Sequence, residues 1–90
     1  MLITDRRKRA LARLAEHDLG ALVFCARENL RYLCGFTGSD GVLLLTAAHS
    51  LFLTDSRYTT QARAQVSADQ VEEYRLQADA VVAALQQAGV

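Results

Sequence analysis

Near the start of the chain, apolar side chains recur at three- and four-residue spacing, at Ala10, Leu11, Leu14 and Ala15, with arginines on the opposite face. That helical period predicts an amphipathic surface helix over residues 5–19, with Thr4 or Asp5 as its cap and Gly20 as its end. The pattern then changes. Ala21, Leu22, Val23, Phe24 and Cys25 form an unbroken apolar run between Gly20 and the charged pair Arg27 and Glu28. Such a run reads as a strand covered on both faces, the central strand of its sheet. Residues 28–34 put Leu30, Leu33 and Cys34 on one side, as in two helical turns, and Gly35 stops them.

Gly35, Gly38 and Gly41 follow, with Ser39 and Asp40 between the last two. This is a loop, whose backbone can take positive φ values and approach another surface closely. The apolar segments 42–46 and 50–54, separated by Ala47, Ala48 and His49, fit an antiparallel hairpin. Asp55 suits the N-cap of a helix that carries Tyr58, Ala62 and Ala64 and runs to about Val66. Residues 71–76 alternate imperfectly, as an edge strand can. Val81, Val82, Ala84 and Leu85 mark an amphipathic helix over 79–88, with Gly89 where a C-terminal cap falls. The order of helix, strand, short helix, hairpin, helix, short strand and helix predicts an α/β fold, a mixed sheet with flanking helices. Because an α/β unit normally returns to a strand after such a helix, residues 1–90 are expected to form one domain that is truncated at its C-terminal end.

Composition narrows the class. With 51% hydrophobic and 22% charged residues, the chain lies far from disordered sequences and is long enough to build one core without disulfides or a structural metal. Ten basic residues balance ten acidic ones, so net charge points to no nucleic acid and no membrane surface as partner. Locally, Arg6, Arg7, Lys8, Arg9 and Arg13 crowd the first helix. A run of this kind can mark an anion surface, but no aromatic or glycine-rich partner lies nearby, and a solvated helix face is the expectation. Cys25 and Cys34 read as buried thiols rather than a disulfide scaffold. With His17 and His49 they match no zinc spacing, so no metal site is expected on this chain. Charges between Asp5 and Arg9 and between Arg13 and Asp18 interrupt any apolar run at the N-terminus, and the longest uncharged stretch, 41–54, contains His49 and Ser50 and is too short to cross a bilayer. A cytoplasmic protein is the default.

Candidate chemistry is sparse. Ser39 and Asp40 could act with His17 or His49, yet the strand-turn-helix context of a nucleophile elbow is missing, and a polar turn is the plainer reading. The glycine loop lacks the spacing of a dinucleotide-binding turn and the Gly-Lys-Ser or Gly-Lys-Thr of a phosphate loop. Asp55, Arg57 and Tyr58 form a second polar cluster. They read structurally: Asp55 as a cap, Arg57 paired with an acid, and Tyr58 with its ring on the sheet. Tyr32 and Phe36 read as core aromatics.

One stretch is distinctive in combination. Residues 29–41 read Asn-Leu-Arg-Tyr-Leu-Cys-Gly-Phe-Thr-Gly-Ser-Asp-Gly, 42–46 read Val-Leu-Leu-Leu-Thr, and 51–62 read Leu-Phe-Leu-Thr-Asp-Ser-Arg-Tyr-Thr-Thr-Gln-Ala. This resembles the core of the small N-terminal domain of the creatinase, prolidase and aminopeptidase P family, and with the arginine-rich opening helix and the first strand the resemblance covers nearly the whole chain. Family members usually have glycine where this chain has Ser56.

The resemblance implies an N-terminal domain with a ribonuclease-H-like layout, followed by a "pita-bread" catalytic domain absent from this chain. That domain would hold two divalent metal ions (manganese, cobalt or zinc) on two aspartates, a histidine and two glutamates, and metal-bound hydroxide would attack the bond preceding proline. None of those five ligands can be assigned here. The family domain helps to form a dimer, and its loop after the Gly-Phe pair can lean over the active site of a neighbouring subunit. By that analogy Thr37, Gly38, Ser39 and Asp40 are the substrate-proximal residues. The expected function is the non-catalytic domain of an Xaa-Pro aminopeptidase or dipeptidase, partnered by its own C-terminal catalytic domain, by a second copy, and by proline-containing peptides. A stand-alone binding or dimerisation module is the alternative from a different class.

Overall fold

The structure is a computed structural model, and it describes residues 3–17, 20–38, 40–47, 49–87 and 89. Four helices, α1 (Ile3–Glu16), α2 (Arg27–Cys34), α3 (Thr59–Gln65) and α4 (Gln77–Gln87), accompany four strands, β1 (Leu22–Phe24), β2 (Val42–Leu45), β3 (Ser50–Thr54) and β4 (Gln70–Glu73). The strands form one sheet in the order β1-β2-β3-β4. The first three run antiparallel to one another, with Val23 opposite Leu44 and Leu43 opposite Phe52, while β4 lies parallel to β3. The sheet is therefore mixed and flanked by helices, as the element order predicts.

Alternation along the strands sends side chains to two separate cores. Leu43, Leu45 and Phe52 point to one face, where they pack with Leu30, Leu33, Cys34 and Phe36 of the α2 region and Ala62 of α3. Ala10 and Leu11 of α1 close that layer at its margin. Val42, Leu44, Leu51 and Leu53 point to the other face and meet Tyr74 and Ala84, with Ala80, Val81 and Leu85 of α4 beside them. Every residue of β2 and β3 is buried, and each fully buried leucine or phenylalanine contributes about 1.5–3 kcal/mol by leaving water.

Several expectations give way. The run at 21–25 is an edge strand, not the central one, with β2 on one side and no described strand on the other. Leu22 and Phe24 turn toward the first core, whereas Val23 is 42% exposed because α4 covers the opposite face only farther along the sheet. Cys25 is exposed while Cys34 is buried, its thiol held against the Leu30 carbonyl at 3.1 Å. Helix α1 starts at Ile3, so Thr4 and Asp5 fall inside its first turn rather than capping it, and it ends at Glu16, short of Gly20. Leu19 lies outside the described residues. Helix α3 starts only at Thr59.

The basic run is not a simple solvated face. Arg6 Nη1 donates to the Tyr32 carbonyl at 2.9 Å, and Arg7 Nε to the Leu33 carbonyl at 3.1 Å. Those carbonyls belong to the last turn of α2, which has no intrahelical donors left for them. Two arginines of α1 thus close the C-terminal end of α2, where its dipole also favours positive charge. Gly35 completes the same end in the left-handed region, at φ 82°, with its N–H on the Leu30 and Arg31 carbonyls.

Candidate functional site: the loop between Gly35 and Gly41

After Gly35 the chain drives the Phe36 ring into the core. It is 1% exposed, 4.7 Å from the Phe52 ring centroid and edge-on to Tyr58 at 6.0 Å. Gly38 and Gly41 then pass directly over these rings. A Cβ on Gly38 would sit 2.3 Å from Phe36 Cζ, and one on Gly41 would sit 2.5 Å from Phe52 Cζ. Neither glycine has a left-handed φ. Close approach, not backbone freedom, is what requires glycine at these two positions.

The loop is tied down at both ends. At its start, the Thr37 N–H donates to Gln65 Oε1 at 3.1 Å, and the Thr37 hydroxyl accepts from Gln61 Nε2 at 3.1 Å, both partners lying on α3. At its end, Asp40 accepts on three oxygens: from Arg57 Nη2 at 3.2 Å, from the Tyr74 hydroxyl at 3.1 Å, and on its main-chain carbonyl from Thr54 Oγ1 at 2.7 Å. Ser39 lies outside the described residues. Beside the loop, Arg27, Glu28 and Arg31 of α2 and Phe36, Thr37 and Gly38 line an open cleft of about 220 Å³.

Asp55 does not cap α3 directly. Its Oδ1 accepts from the Arg57 N–H at 3.0 Å, closing a turn that precedes the helix, and its Oδ2 receives Arg57 Nη2 at 2.6 Å and Nε at 3.1 Å. Arg57 therefore spans two carboxylates. Its hydrogen bonds hold the Asp55 carboxyl below the usual carboxylate range, and Asp55 in turn raises the Arg57 guanidinium. The Tyr74 hydroxyl is pushed up to about 12, first by burial and then by its bond to Asp40. At pH 7 Tyr74 is accordingly a neutral donor to Asp40. Tyr58 lies at this junction too, with the Arg57 guanidinium 5.2 Å from its ring centroid.

This arrangement ties the loop's two ends to α3 and to the sheet. Asp40 and His49 stand at opposite ends of β2, a strand of about 13 Å at 3.3 Å per residue. His49 contacts Asp69 at 3.4 Å and Gln70 at 3.1 Å instead. Asp55, Arg57 and Tyr58, the cluster expected from sequence, lie together, and Asp40, read separately as part of a polar turn, joins them through Arg57. Tyr74, Thr54 and the Gln61–Gln65 pair complete it and were missed. An aromatic set among charged residues in an edge strand, and two glutamines one helical turn apart, were the available signals. Tyr32, expected in the core, is 47% exposed, with the Arg6 guanidinium over its ring at 4.4 Å.

Residues 6–90 match the profile of the Creatinase/Prolidase N-terminal domain. The chain belongs to this family. An Xaa-Pro aminopeptidase from Streptococcus pyogenes superposes with a TM-score of 0.87 at 34% identity, covering 94% of this chain and 66% of that one. An Xaa-Pro dipeptidase from Bacillus anthracis gives 0.90 at 25% identity over 98% of this chain and 25% of its own length. The N-terminal domain of the cytoplasmic peptidase PepQ from Mycobacterium tuberculosis gives 0.80 at 34% identity over 88% of this chain and 62% of that one. The uncharacterized peptidase YqhT of Bacillus subtilis is 36% identical over 56 residues, 62% of this chain, and the match spans only 16% of that relative.

Two further facts bear on this creatinase/prolidase N-terminal domain. Among the described residues no group of three or more His, Cys, Asp or Glu is placed to hold a metal ion. No metal-dependent step is assigned to them. No helix of the described residues is long and apolar enough to cross a membrane.

Proposed function

We propose that this chain is the non-catalytic N-terminal domain of a proline-specific metallopeptidase, an Xaa-Pro aminopeptidase or dipeptidase. In it the domain takes part in oligomer assembly and shapes the active-site entrance through residues 37–40. The observation that supports this most is the match of residues 6–90 to the Creatinase/Prolidase N-terminal domain, together with the likeness to a streptococcal Xaa-Pro aminopeptidase at 34% identity. The loop geometry agrees with the role. Buried Phe36 and the anchors on Thr37 and Asp40 fix both ends of this segment at the surface, and a preorganised edge can select substrate without taking part in the chemistry.

The test is to express the complete gene product that contains this chain and to assay Xaa-Pro dipeptides and longer Xaa-Pro peptides with added manganese or cobalt. Cleavage before proline is expected, from a dimer by sedimentation. Thr37→Ala is expected to raise KM several-fold with little change in kcat, because it loosens the loop and leaves the reacting groups alone. Failure to cleave any Xaa-Pro peptide would overturn the peptidase reading, and a monomer would overturn the assembly role.

A further inference from the structure

The basic run on α1 is only partly used inside the fold. Arg6 and Arg7 serve the end of α2, but the side chains of Arg9 and Arg13, both exposed, make no hydrogen bond or ion pair with another described residue. They stand one helical turn apart on the wall of a groove of about 420 Å³ that runs between α1, β1 and α2. Arg6 and His17 extend the same wall, and Leu22 and Phe24 form part of an apolar floor. None of the described residues lining the groove is acidic. Along its side lies β1, an edge strand with unpaired main-chain groups on its outer side and Val23 exposed.

We infer that this groove is a docking site for an extended acidic segment of a partner protein, which adds as a strand to the outer edge of β1. Its carboxylates would face Arg9 and Arg13, and its apolar side chains, on the other face of the added strand, would lie beside exposed Val23. Three features select that occupant. An unpaired edge strand templates main-chain pairing, which gives affinity without fixing sequence. One turn of α1 separates Arg9 from Arg13 by about 6 Å, and side chains two residues apart in a strand are separated by about 6.6 Å, so carboxylates at alternate positions match the two guanidinium groups. A basic wall on one face of β1 and exposed Val23 on the other complement a strand that alternates acidic and apolar residues, and the wall repels a basic one. A lipid surface fits less well, because the apolar side of α1 is turned into the core through Ala10, Leu11 and Leu14, which leaves no apolar face to insert. This site is separate from the loop at 37–40 and does not depend on the peptidase reading.

The probe is an end-blocked heptapeptide alternating glutamate and valine, titrated into the isotopically labelled chain and followed by amide chemical shifts. The expected result is saturable binding, with shifts concentrated on Leu22, Val23, Phe24 and the α1 residues from Arg9 to Arg13. Affinity is expected to weaken with added salt and to fall about tenfold in R9E/R13E. The conservative R9K/R13K variant should retain most of the binding, and unchanged amide dispersion in both variants would show that the fold survives. No binding by about 1 mM peptide, equal binding of the lysine–valine counterpart, or shifts mapping elsewhere would overturn the inference. So would preferential binding to vesicles of equal parts phosphatidylcholine and phosphatidylserine, or self-association of the chain through this face.

Discussion

Replacing Gly41 by alanine separates two opposing physical effects. Because Gly41 is outside the left-handed region, an alanine there restricts the unfolded chain and by itself stabilises by about 0.4–1 kcal/mol. Against this, the new methyl would stand 2.5 Å from Phe52 Cζ and 3.3 Å from Phe36 Cε2, well inside the usual carbon–carbon contact of about 3.5–4.0 Å. Phe52 is fully buried and already packed on Phe36, so its ring has nowhere to retreat without displacing a second one. Overpacking of this kind costs about 1–3 kcal/mol. The net expectation is destabilisation by about 1–2 kcal/mol, a fall in melting temperature of about 4–16 °C for a domain of this size. Thermal melts by circular dichroism measure it, and a double-mutant cycle with Phe52→Leu, which removes the clashing carbon, should recover at least about 0.5 kcal/mol as coupling. A G41A protein that melts at or above the parent would refute the reasoning, as would strict additivity with Phe52→Leu.

Other consequences can be checked on the same material. Gly35→Ala should cost about 1–2 kcal/mol for a different reason, since it forces a side chain into the left-handed region, and Phe52→Leu should not relieve it. Arg7→Met removes the donor to the Leu33 carbonyl and should lower the urea midpoint by an amount equivalent to about 1 kcal/mol at unchanged slope; Arg7→Lys should restore only part of it, lacking the planar fork. The Ser50 N–H lowers the Asp69 carboxyl and Arg57 lowers that of Asp55, so both contribute stability above the unfolded carboxylate range near about pH 4. That contribution is lost as pH falls through the folded values, and Asp69→Asn should flatten the acid limb of the melting profile. A thiol reagent should modify exposed Cys25 at once and buried Cys34, whose thiol burial pushes up, only on unfolding.

Sequence patterning made the hairpin, the Gly35 stop and the α4 face legible, because each rests on local periodicity or on one residue type. Strand order was not legible from the run at 21–25. A continuous apolar run indicates apolar surroundings but not the number of neighbours, and Val23 shows that an edge strand can carry the same pattern. The arginine run misled similarly: a charged helix face looks solvated until carbonyls 26 residues away come within reach of Arg6 and Arg7. Of the loop site, an acid partner for Arg57 was expected, and Asp55, read instead as a helix cap, supplies it from two residues away. The bond from Tyr74 to Asp40 joins positions 34 apart, and only the parallel placement of β4 beside β3 brings them together.

The two ends of the segment from Thr37 to Asp40 are held differently. Thr37 hangs from Gln61 and Gln65 on α3, and Asp40 hangs from Arg57 in the turn that leads into α3. Asp40 is bound besides to Thr54 on β3 and to Tyr74, so a tilt of the seven residues of α3 would move the Thr37 anchor while the sheet holds Asp40, and would shear one end of the segment against the other.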